Sequence, residues 1–419
     1  MSSIIIRGGK RLEGVVQAGG AKNAILPILA ASILTENPIQ IHGCPQISDV
    51  SNMISILRFI GCSVEKDDGT IIIDPSPAHG ETMPDELSKE MRSSIFLMGP
   101  MLGRFHKACF TRPGGCEIGM RPINMHIDAL RQMNVTIEEE HGQIVCSTDG
   151  IRGAEINLDY PSVGATENIM MAAVTAKGRT IIRNAAREPE VADLQKILNA
   201  MGGKVAGSGY NTIYIEGVKK LHGAVHQVIP DRIVAGTYMA AAAITGGDIT
   251  IDHVNIDHQH AIISKLRESG CTVSLAKNSI RVAGAAHPRE MQMISTQPYP
   301  GFPTDMQAQF LSYATVCRGT SIIVENVFEN RFKHASELNK MGANITVKGN
   351  MAIVRGTENL TAARIKANDL RGGAALVLAA LKAEGESEIE NTQYIDRGYE
   401  RFADTLRELG AEIREIEQV

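Results

Sequence analysis

The sequence predicts an α/β protein of two domains, each an inside-out α/β barrel in which sheets surround buried helices. Three observations predict it. The chain has 419 residues, beyond what one compact core usually holds. A phrase of helical apolar pattern, Leu, Gly and β-prone run recurs six times along it. An alanine-rich helix followed by a strand alternates with that phrase.

The first phrase reads ISILRFIGCSV around Leu57, IDALRQMNVTI around Leu130 and LQKILNAMGGKV around Leu198. It returns as ISKLRESGCTV at Leu266, ASELNKMGANI at Leu338 and ADTLRELGAEI at Leu406. Successive leucines are 73, 68, 68, 72 and 68 residues apart. Six repeats of about 70 residues, three per domain, therefore account for nearly the whole chain. In the second copy Asn134 stands where the others carry glycine, and asparagine shares glycine's tolerance of a left-handed backbone.

The second phrase is clearest in YMAAAAITGGDITIDHV (238–254), YATVCRGTSIIVENV (313–327) and ALVLAALKAEGESEIENT (375–392). Small side chains all round suit a helix buried on every side, and the glycines that follow suit a left-handed helix cap. Hairpins come next: SVEKDDGTIIID turns at Asp68–Gly69 and TIEEEHGQIVCS at His141–Gly142. Helices buried on all sides require the sheets to lie outside them. The chain is expected to cross between domains twice, within 16–23 and within 226–236 at Pro230. That places 20–229 in domain I and 1–19 with 230–419 in domain II. A purely structural repeat protein is one reading, but solenoid units are shorter, and two lobes of this size suit a cleft.

Composition narrows the function. The net charge is only −5, which disfavours a nucleic-acid binder that relies on a broad basic field. The seven cysteines (44, 62, 109, 116, 146, 271 and 317) are scattered and form no CxxC pair, so neither a disulfide framework nor a zinc knuckle is expected. The longest apolar run, AILPILAASIL at 24–34, is too short to span a bilayer and contains Pro27. No signal-peptide layout opens the chain. A soluble, cytoplasmic protein without a membrane partner is expected.

Four stretches carry candidate chemistry. RPGGCEIGMRP (112–122) sets Cys116 among glycines with Arg112 and Arg121 at its ends. It reads as a glycine turn with an incidental thiol, or as a lid whose arginines favour a thiolate serving as acid or nucleophile. GGAKNAILPIL (19–29) feeds a Gly-Gly turn into a helix beginning at Lys22, an arrangement suited to an anion but lacking the Walker pattern. Arg92, Asp305, Arg331, Arg371 and Arg397 stand near predicted element ends. Singly they read as surface charges; gathered by repeat symmetry they form a cationic rim for a polyanion. DHVNIDHQHAII (252–263) holds His253, His258 and His260, but not at zinc-helix spacing, and Asp257 reads as a helix cap.

Seven motifs occur in one order: GGAKNA, RPGGCEIGMRPINMH, SVGATEN, FPTDMQAQ, VFENRFKH, DLRGGAAL and IDRGYE. With them the chain resembles, from end to end, the UDP-N-acetylglucosamine 1-carboxyvinyltransferases of the EPSP synthase superfamily. The resemblance implies transfer of enolpyruvyl from phosphoenolpyruvate to the 3-hydroxyl of UDP-N-acetylglucosamine, in a cleft between two lobes, at the first committed step of peptidoglycan synthesis. It implies no metal and no organic cofactor. Cys116 would be the general acid toward the methylene carbon, and Asp305 would accept the hydroxyl proton. Lys22, Asn23, Arg121 and Arg397 would hold phosphoenolpyruvate. Arg92, Arg121, Pro122, Ile123, Asn124, Met125, Ser162, Val163, Gly164, Asp305 and Val327 would contact the nucleotide sugar, while Arg331 and Arg371 would serve closure or electrostatics. Asn124 and Tyr160 depart from the Asp and Lys common in relatives, which bears on the uridine contacts. A cysteine at 116 implies sensitivity to the epoxide antibiotic fosfomycin. The shikimate-pathway enolpyruvyl transferase lacks such a cysteine loop, and a catalytically silent paralogue would not need Lys22, Cys116, Asp305 and Arg397 together. The oligomeric state stays open.

Overall fold

The six recurring leucines are all fully buried, and each is the pivot of the same helix ending. The amide five residues after each leucine donates to its carbonyl: Cys62 to Leu57, Val135 to Leu130, Gly203 to Leu198, Cys271 to Leu266, Ala343 to Leu338 and Ala411 to Leu406. This is the Schellman motif, which needs a left-handed residue one place before that amide. Gly61, Asn134, Gly202, Gly270, Gly342 and Gly410 supply it, with φ between +68° (Asn134) and +104° (Gly61). Asn134 further donates its side-chain amide to Asp149 Oδ1 (2.6 Å) and Gly150 O (3.0 Å).

The residue after each leucine ties the helix to the next strand. Arg58 donates to Val64 O, Arg131 to Ile137 O, Asn199 to Val205 O, Arg267 to Val273 O, Asn339 to Ile345 O and Arg407 to Ile413 O, at 2.7 to 3.3 Å. A long or amide side chain therefore bridges six positions at all six helix ends.

The computed structural model describes residues 2–80, 92–111, 123–140 and 142–417. These form two compact units, 2–19 with 230–417 and 20–111 with 123–229. Each has its own apolar core. No helix among the described residues is long and apolar enough to cross a membrane.

In the 20–229 unit, three sheets are seen. One runs Val225–Gln227, Ile39–His42, Thr70–Asp74, Ser63–Asp67; another runs Lys204–Ala206, Thr212–Glu216, Arg179–Arg183, Glu155–Asn157. Both are mixed, with one parallel pair at an edge. The third, Lys107–Thr111, Gln143–Ser147, Thr136–Glu140, is antiparallel throughout. Register follows burial: Ile39 faces Ile73 and Ile41 faces Ile71, all four buried, while alternate residues point to the other face.

The other unit has three four-stranded sheets of the same mixed kind, each with one parallel edge pair. Its helices Arg232–Thr245, Gln307–Ala314 and Leu370–Lys382 pack on one another and are buried almost all round. Asp231 caps the first, accepting from Ile233 N (2.8 Å) and Val234 N (3.0 Å), and Gly246 ends it at φ +64°. Asp369 caps the third, accepting from Arg371 N (3.0 Å) and Gly372 N (2.9 Å).

Two sequence expectations need correction. Gly319 and Gly385 have positive φ but do not cap their helices; Thr315 and Ala383 do. Each glycine instead makes the reversal immediately before a strand, Thr320–Val324 or Glu386–Glu390. Asp257 is not a helix cap either: it lies inside the short Ile256–His258 3-10 helix, and Asn255 does the capping by accepting from Asp257 N at 3.1 Å.

Candidate active site

Lys22 is the first residue of the Lys22–Ala31 helix and is buried, with its Nζ 2.7 Å from Asp49 Oδ2. Asp49 is buried too, in the first turn of the Ser48–Phe59 helix, where the helix dipole favours a negative charge. The Gly-Gly turn ahead of Lys22 has a steric reason at its second position only. A Cβ on Gly20 would lie 1.9 Å from Gly43 O, whereas one on Gly19 would meet nothing. Asn23 follows Lys22 half-buried.

In the same unit the residues expected to meet the nucleotide sugar open two helices. Ile123 is buried ahead of the Asn124–Gln132 helix, Asn124 is exposed and Met125 half-buried. Ser162 caps the Val163–Ala173 helix through Ala165 N (3.3 Å). The two helices approach at Gly164, where a Cβ would sit 3.3 Å from His126 Cε1. Asn168 clasps the contact: its Nδ2 lies 3.0 Å from His126 Nδ1, and its Oδ1 accepts from Gly99 N at 2.8 Å. Tyr160 is exposed.

The other unit gathers three sequence-predicted residues that stand 26 and 66 positions apart. Asp305 Oδ1 accepts from Arg331 Nη2 at 2.8 Å, and Oδ2 accepts from Arg371 Nη2 at 3.1 Å and Nε at 3.3 Å. Both guanidiniums are buried while Asp305 keeps some exposure. Two cations share this one carboxylate. Among the described residues, Arg331 Nε and Nη1 and Arg371 Nη1 have no acceptor. Three buried donors on fixed guanidiniums are suited to a planar or tetrahedral anion.

The arginines are braced on their far sides by residues that sequence reasoning did not single out. The Arg371 guanidinium lies over the Tyr399 ring, 5.2 Å from its centroid, and the Arg331 guanidinium lies over Phe328 at the same distance. Tyr399 Oη sits 2.9 Å from Thr237 Oγ1, and Gln309 Nε2 donates to both oxygens at 3.1 Å. Thr237 spends its own proton on Ile233 O (2.8 Å), so Tyr399 donates to Thr237. That chain of assigned protons pins the ring beneath Arg371. Burial works against the Arg371 charge, yet Tyr399, Asp305 and Asp231 hold its pKa above the usual arginine range. His334, buried beside Arg331 with neither ring nitrogen partnered among the described residues, is pushed down to about 4 by burial, with Asp369 opposing and Arg331 adding to the shift. It is a neutral imidazole at pH 7. Both His334 and Tyr399 stand inside quoted motifs, FENRFKH and IDRGYE, which is the signal that could have found them.

Val327 and Arg397 are half-buried, Arg397 closing the short Thr392–Arg397 3-10 helix. Arg92 opens the Arg92–Leu97 3-10 helix, and its side chain lies outside the described residues. Cys116, Arg121 and Pro122 lie outside them altogether. Burial pushes the thiols of Cys44, Cys146 and Cys317 up to about 12 and Cys62 to about 11, so these four stay protonated and unreactive. The three histidines of 252–263 go separate ways: His253 Nδ1 to Ala18 O (3.0 Å), His258 Nε2 to Asn255 Nδ2 (3.0 Å) and His260 Nε2 to Asp257 Oδ1 (3.5 Å). Among the described residues no three His, Cys, Asp or Glu side chains come together as a metal site.

The chain is similar to known proteins along nearly its whole length. Residues 6–406 match the family model for EPSP synthase (3-phosphoshikimate 1-carboxyvinyltransferase). The chain is 50% identical to UDP-N-acetylglucosamine 1-carboxyvinyltransferase 2 of Caldanaerobacter subterraneus subsp. tengcongensis, over 99% of this chain and 100% of that one. It is 45% identical to the UDP-N-acetylglucosamine 1-carboxyvinyltransferase of Geobacter metallireducens over the full length of both. Among solved structures, the enolpyruvyl transferase NikO from Streptomyces tendae superposes with a TM-score of 0.89 at 24% identity, covering 99% of this chain and 98% of its own. EPSP synthase from Acinetobacter baumannii superposes with a TM-score of 0.76 at 20% identity, covering 99% of this chain and 100% of its own. These two share the α/β fold of mixed sheets and helices described above. On the family match and the full-length identities, the chain belongs to the EPSP synthase family, among its UDP-N-acetylglucosamine 1-carboxyvinyltransferases.

Proposed function

We propose that this chain transfers the enolpyruvyl group of phosphoenolpyruvate to the 3-hydroxyl of UDP-N-acetylglucosamine, releasing phosphate, as the first committed step of peptidoglycan synthesis in the cytoplasm. The observation that carries the chemistry is Asp305 held between Arg331 and Arg371, with three buried guanidinium donors left over. A carboxylate beside unspent cationic donors suits a reaction whose acceptor gives up a proton while its donor carries several negative charges.

In this reading Cys116 donates a proton to the methylene carbon of phosphoenolpyruvate, which leaves the adjacent carbon electron-poor. The sugar 3-oxygen attacks that carbon as Asp305 takes the hydroxyl proton, giving a tetrahedral adduct. Loss of a methyl proton re-forms the double bond, and the carbon–oxygen bond to phosphate breaks. Lys22, Asn23, Arg121 and Arg397 bind phosphoenolpyruvate, and Lys22 is held ready by Asp49. Arg331 and Arg371 orient Asp305 and offer their remaining donors to the anion. Arg92, the 121–125 stretch, Ser162–Gly164 and Val327 bind the nucleotide sugar. Domain I (20–229) contributes Lys22 and Cys116, and domain II (1–19 with 230–419) contributes Asp305 and Arg397. Each domain is three repeats of an inside-out α/β barrel, a reading supported by the six equivalent helix ends and the buried alanine-rich helices.

Phosphate release from phosphoenolpyruvate tests the proposal, measured with UDP-N-acetylglucosamine and separately with shikimate 3-phosphate. Release with the nucleotide sugar alone is expected. Release with shikimate 3-phosphate alone would move the assignment to the other branch of the family, and release with neither would favour a silent paralogue.

A further inference from the structure

We infer that Glu325 is a positioning residue that fixes Asp305 and the Val327 turn as one body. The inference rests on the functional reading above and deepens it. Glu325 follows the Thr320–Val324 strand and is only 2% exposed. Four donors converge on its carboxylate. Oε1 accepts from Val327 N (2.8 Å), Thr296 Oγ1 (2.9 Å) and Phe328 N (3.2 Å), and Oε2 accepts from Thr304 Oγ1 (2.9 Å).

These donors come from three segments. Thr304 begins the Thr304–Met306 3-10 helix and is the residue before Asp305. Val327 and Phe328 form the turn after the strand. Thr296 follows the neighbouring Met293–Ser295 strand, and its Oγ1 also accepts from Asn326 N at 2.9 Å. One carboxylate thus anchors the Thr304 hydroxyl at the start of the Asp305 helix and the amides of the 327–328 turn to the same sheet.

Glu325 reaches Asp305 by two routes. The direct one runs through Thr304. The other runs through Phe328, whose ring lies beneath the Arg331 guanidinium that holds Asp305 Oδ1. A buried carboxylate is costly unless its oxygens are fully engaged. Here three of the four donors, Thr304 Oγ1, Val327 N and Phe328 N, belong to segments that carry a proposed substrate-contacting residue or brace one, and the fourth, Thr296, ties Asn326 to the neighbouring strand. A loose Glu325 would therefore release the proton acceptor and the sugar-binding turn together, whereas loss of Thr304 alone would release only the acceptor.

The test uses Glu325→Gln and Thr304→Val in the full chain, with steady-state phosphate release and calorimetric titration of UDP-N-acetylglucosamine. The amide can no longer accept on both atoms, so Glu325→Gln is expected to raise the KM and Kd for the nucleotide sugar about tenfold and to lower kcat about tenfold. Thr304→Val is expected to lower kcat about tenfold with Kd for the sugar within about threefold of the parent. Either folded variant with kcat, KM and Kd within about twofold of the parent, whatever its Tm, overturns the inference. If Glu325→Gln does not fold, Thr304→Val decides by the same criterion. A parent chain that neither binds UDP-N-acetylglucosamine nor releases phosphate sinks the functional reading, and the inference with it; an active parent with unchanged variants sinks the inference alone.

Discussion

Lys22 Nζ lies 2.7 Å from Asp49 Oδ2, with both side chains almost withdrawn from water. Each charge offsets the other's burial there. Asp49→Asn would leave the lysine buried beside a neutral amide, and removing one partner of a buried pair typically costs about 3 kcal/mol or more. The variant is expected to lose about that much stability, and so to unfold at lower denaturant concentration, and to lose most phosphate release, because Lys22 would lose the carboxylate that fixes it at the helix start. Chemical denaturation and the release assay check this; an unchanged midpoint would show that the pair is not a stability element.

Two buried groups predict opposite pH dependences. His334 is at about 4 in the folded chain, against 6.5 ordinarily. As pH falls from 6.5 toward 4, the unfolded chain takes up a proton that the folded one refuses. Stability contributed by the neutral ring is therefore present above 6.5 and lost on acidification, by about 3 kcal/mol in all. His334→Leu, which leaves no partner orphaned, is expected to flatten the stability profile in that window. Denaturant titrations at pH 7 and pH 4.5 measure it.

Glu167 works the other way. It is fully buried with neither oxygen partnered among the described residues, and burial, then the neighbouring Glu190 and Glu188, raise its pKa well above 4.5. Its stability contribution is complete below the ordinary carboxyl value and is lost as pH rises through the folded pKa. Glu167→Gln keeps the shape and removes the charge, so it is expected to stabilise the chain at pH 8 and to matter little at pH 4. Equal effects at the two pH values would contradict this.

Much of the fold was legible because its cause is local. A Schellman ending demands a left-handed residue at one offset and an apolar residue at another, so Leu57 to Leu406 stand out in register with Gly61 to Gly410. Asn134 could be placed for the same reason. The arginine or asparagine beside each leucine is not legible in the same way, since its purpose appears only when the following strand folds back. Asp305, Arg331 and Arg371 could be named from their motifs, but that one carboxylate takes both arginines is a tertiary fact. Asp49, Glu325 and Tyr399 escaped notice because each works through partners far along the chain or on another element. Gly319 and Gly385 misled for the opposite reason: a positive-φ glycine near a helix end serves a strand reversal as readily as a cap.

Cys116 is proposed as the acid and, from the resemblance of its loop, as the nucleophile toward fosfomycin. Cys116→Asp keeps an ionisable proton donor while removing the thiol. It is expected to retain phosphate release within about tenfold and to resist fosfomycin. The parent chain is expected to lose activity as the drug becomes attached to Cys116, since four of the other thiols are held protonated by burial. Peptide mass analysis locates the adduct; inactivation without labelling at Cys116 would refute the role.

Following the carbon skeleton itself tests the transfer most directly. With carbon-labelled phosphoenolpyruvate and UDP-N-acetylglucosamine, NMR of the product should show the labelled vinyl carbon bonded to the sugar 3-oxygen, with one phosphate released for each such ether formed. Phosphate released without label on the sugar, or label joined at another position, would contradict enolpyruvyl transfer by this chain.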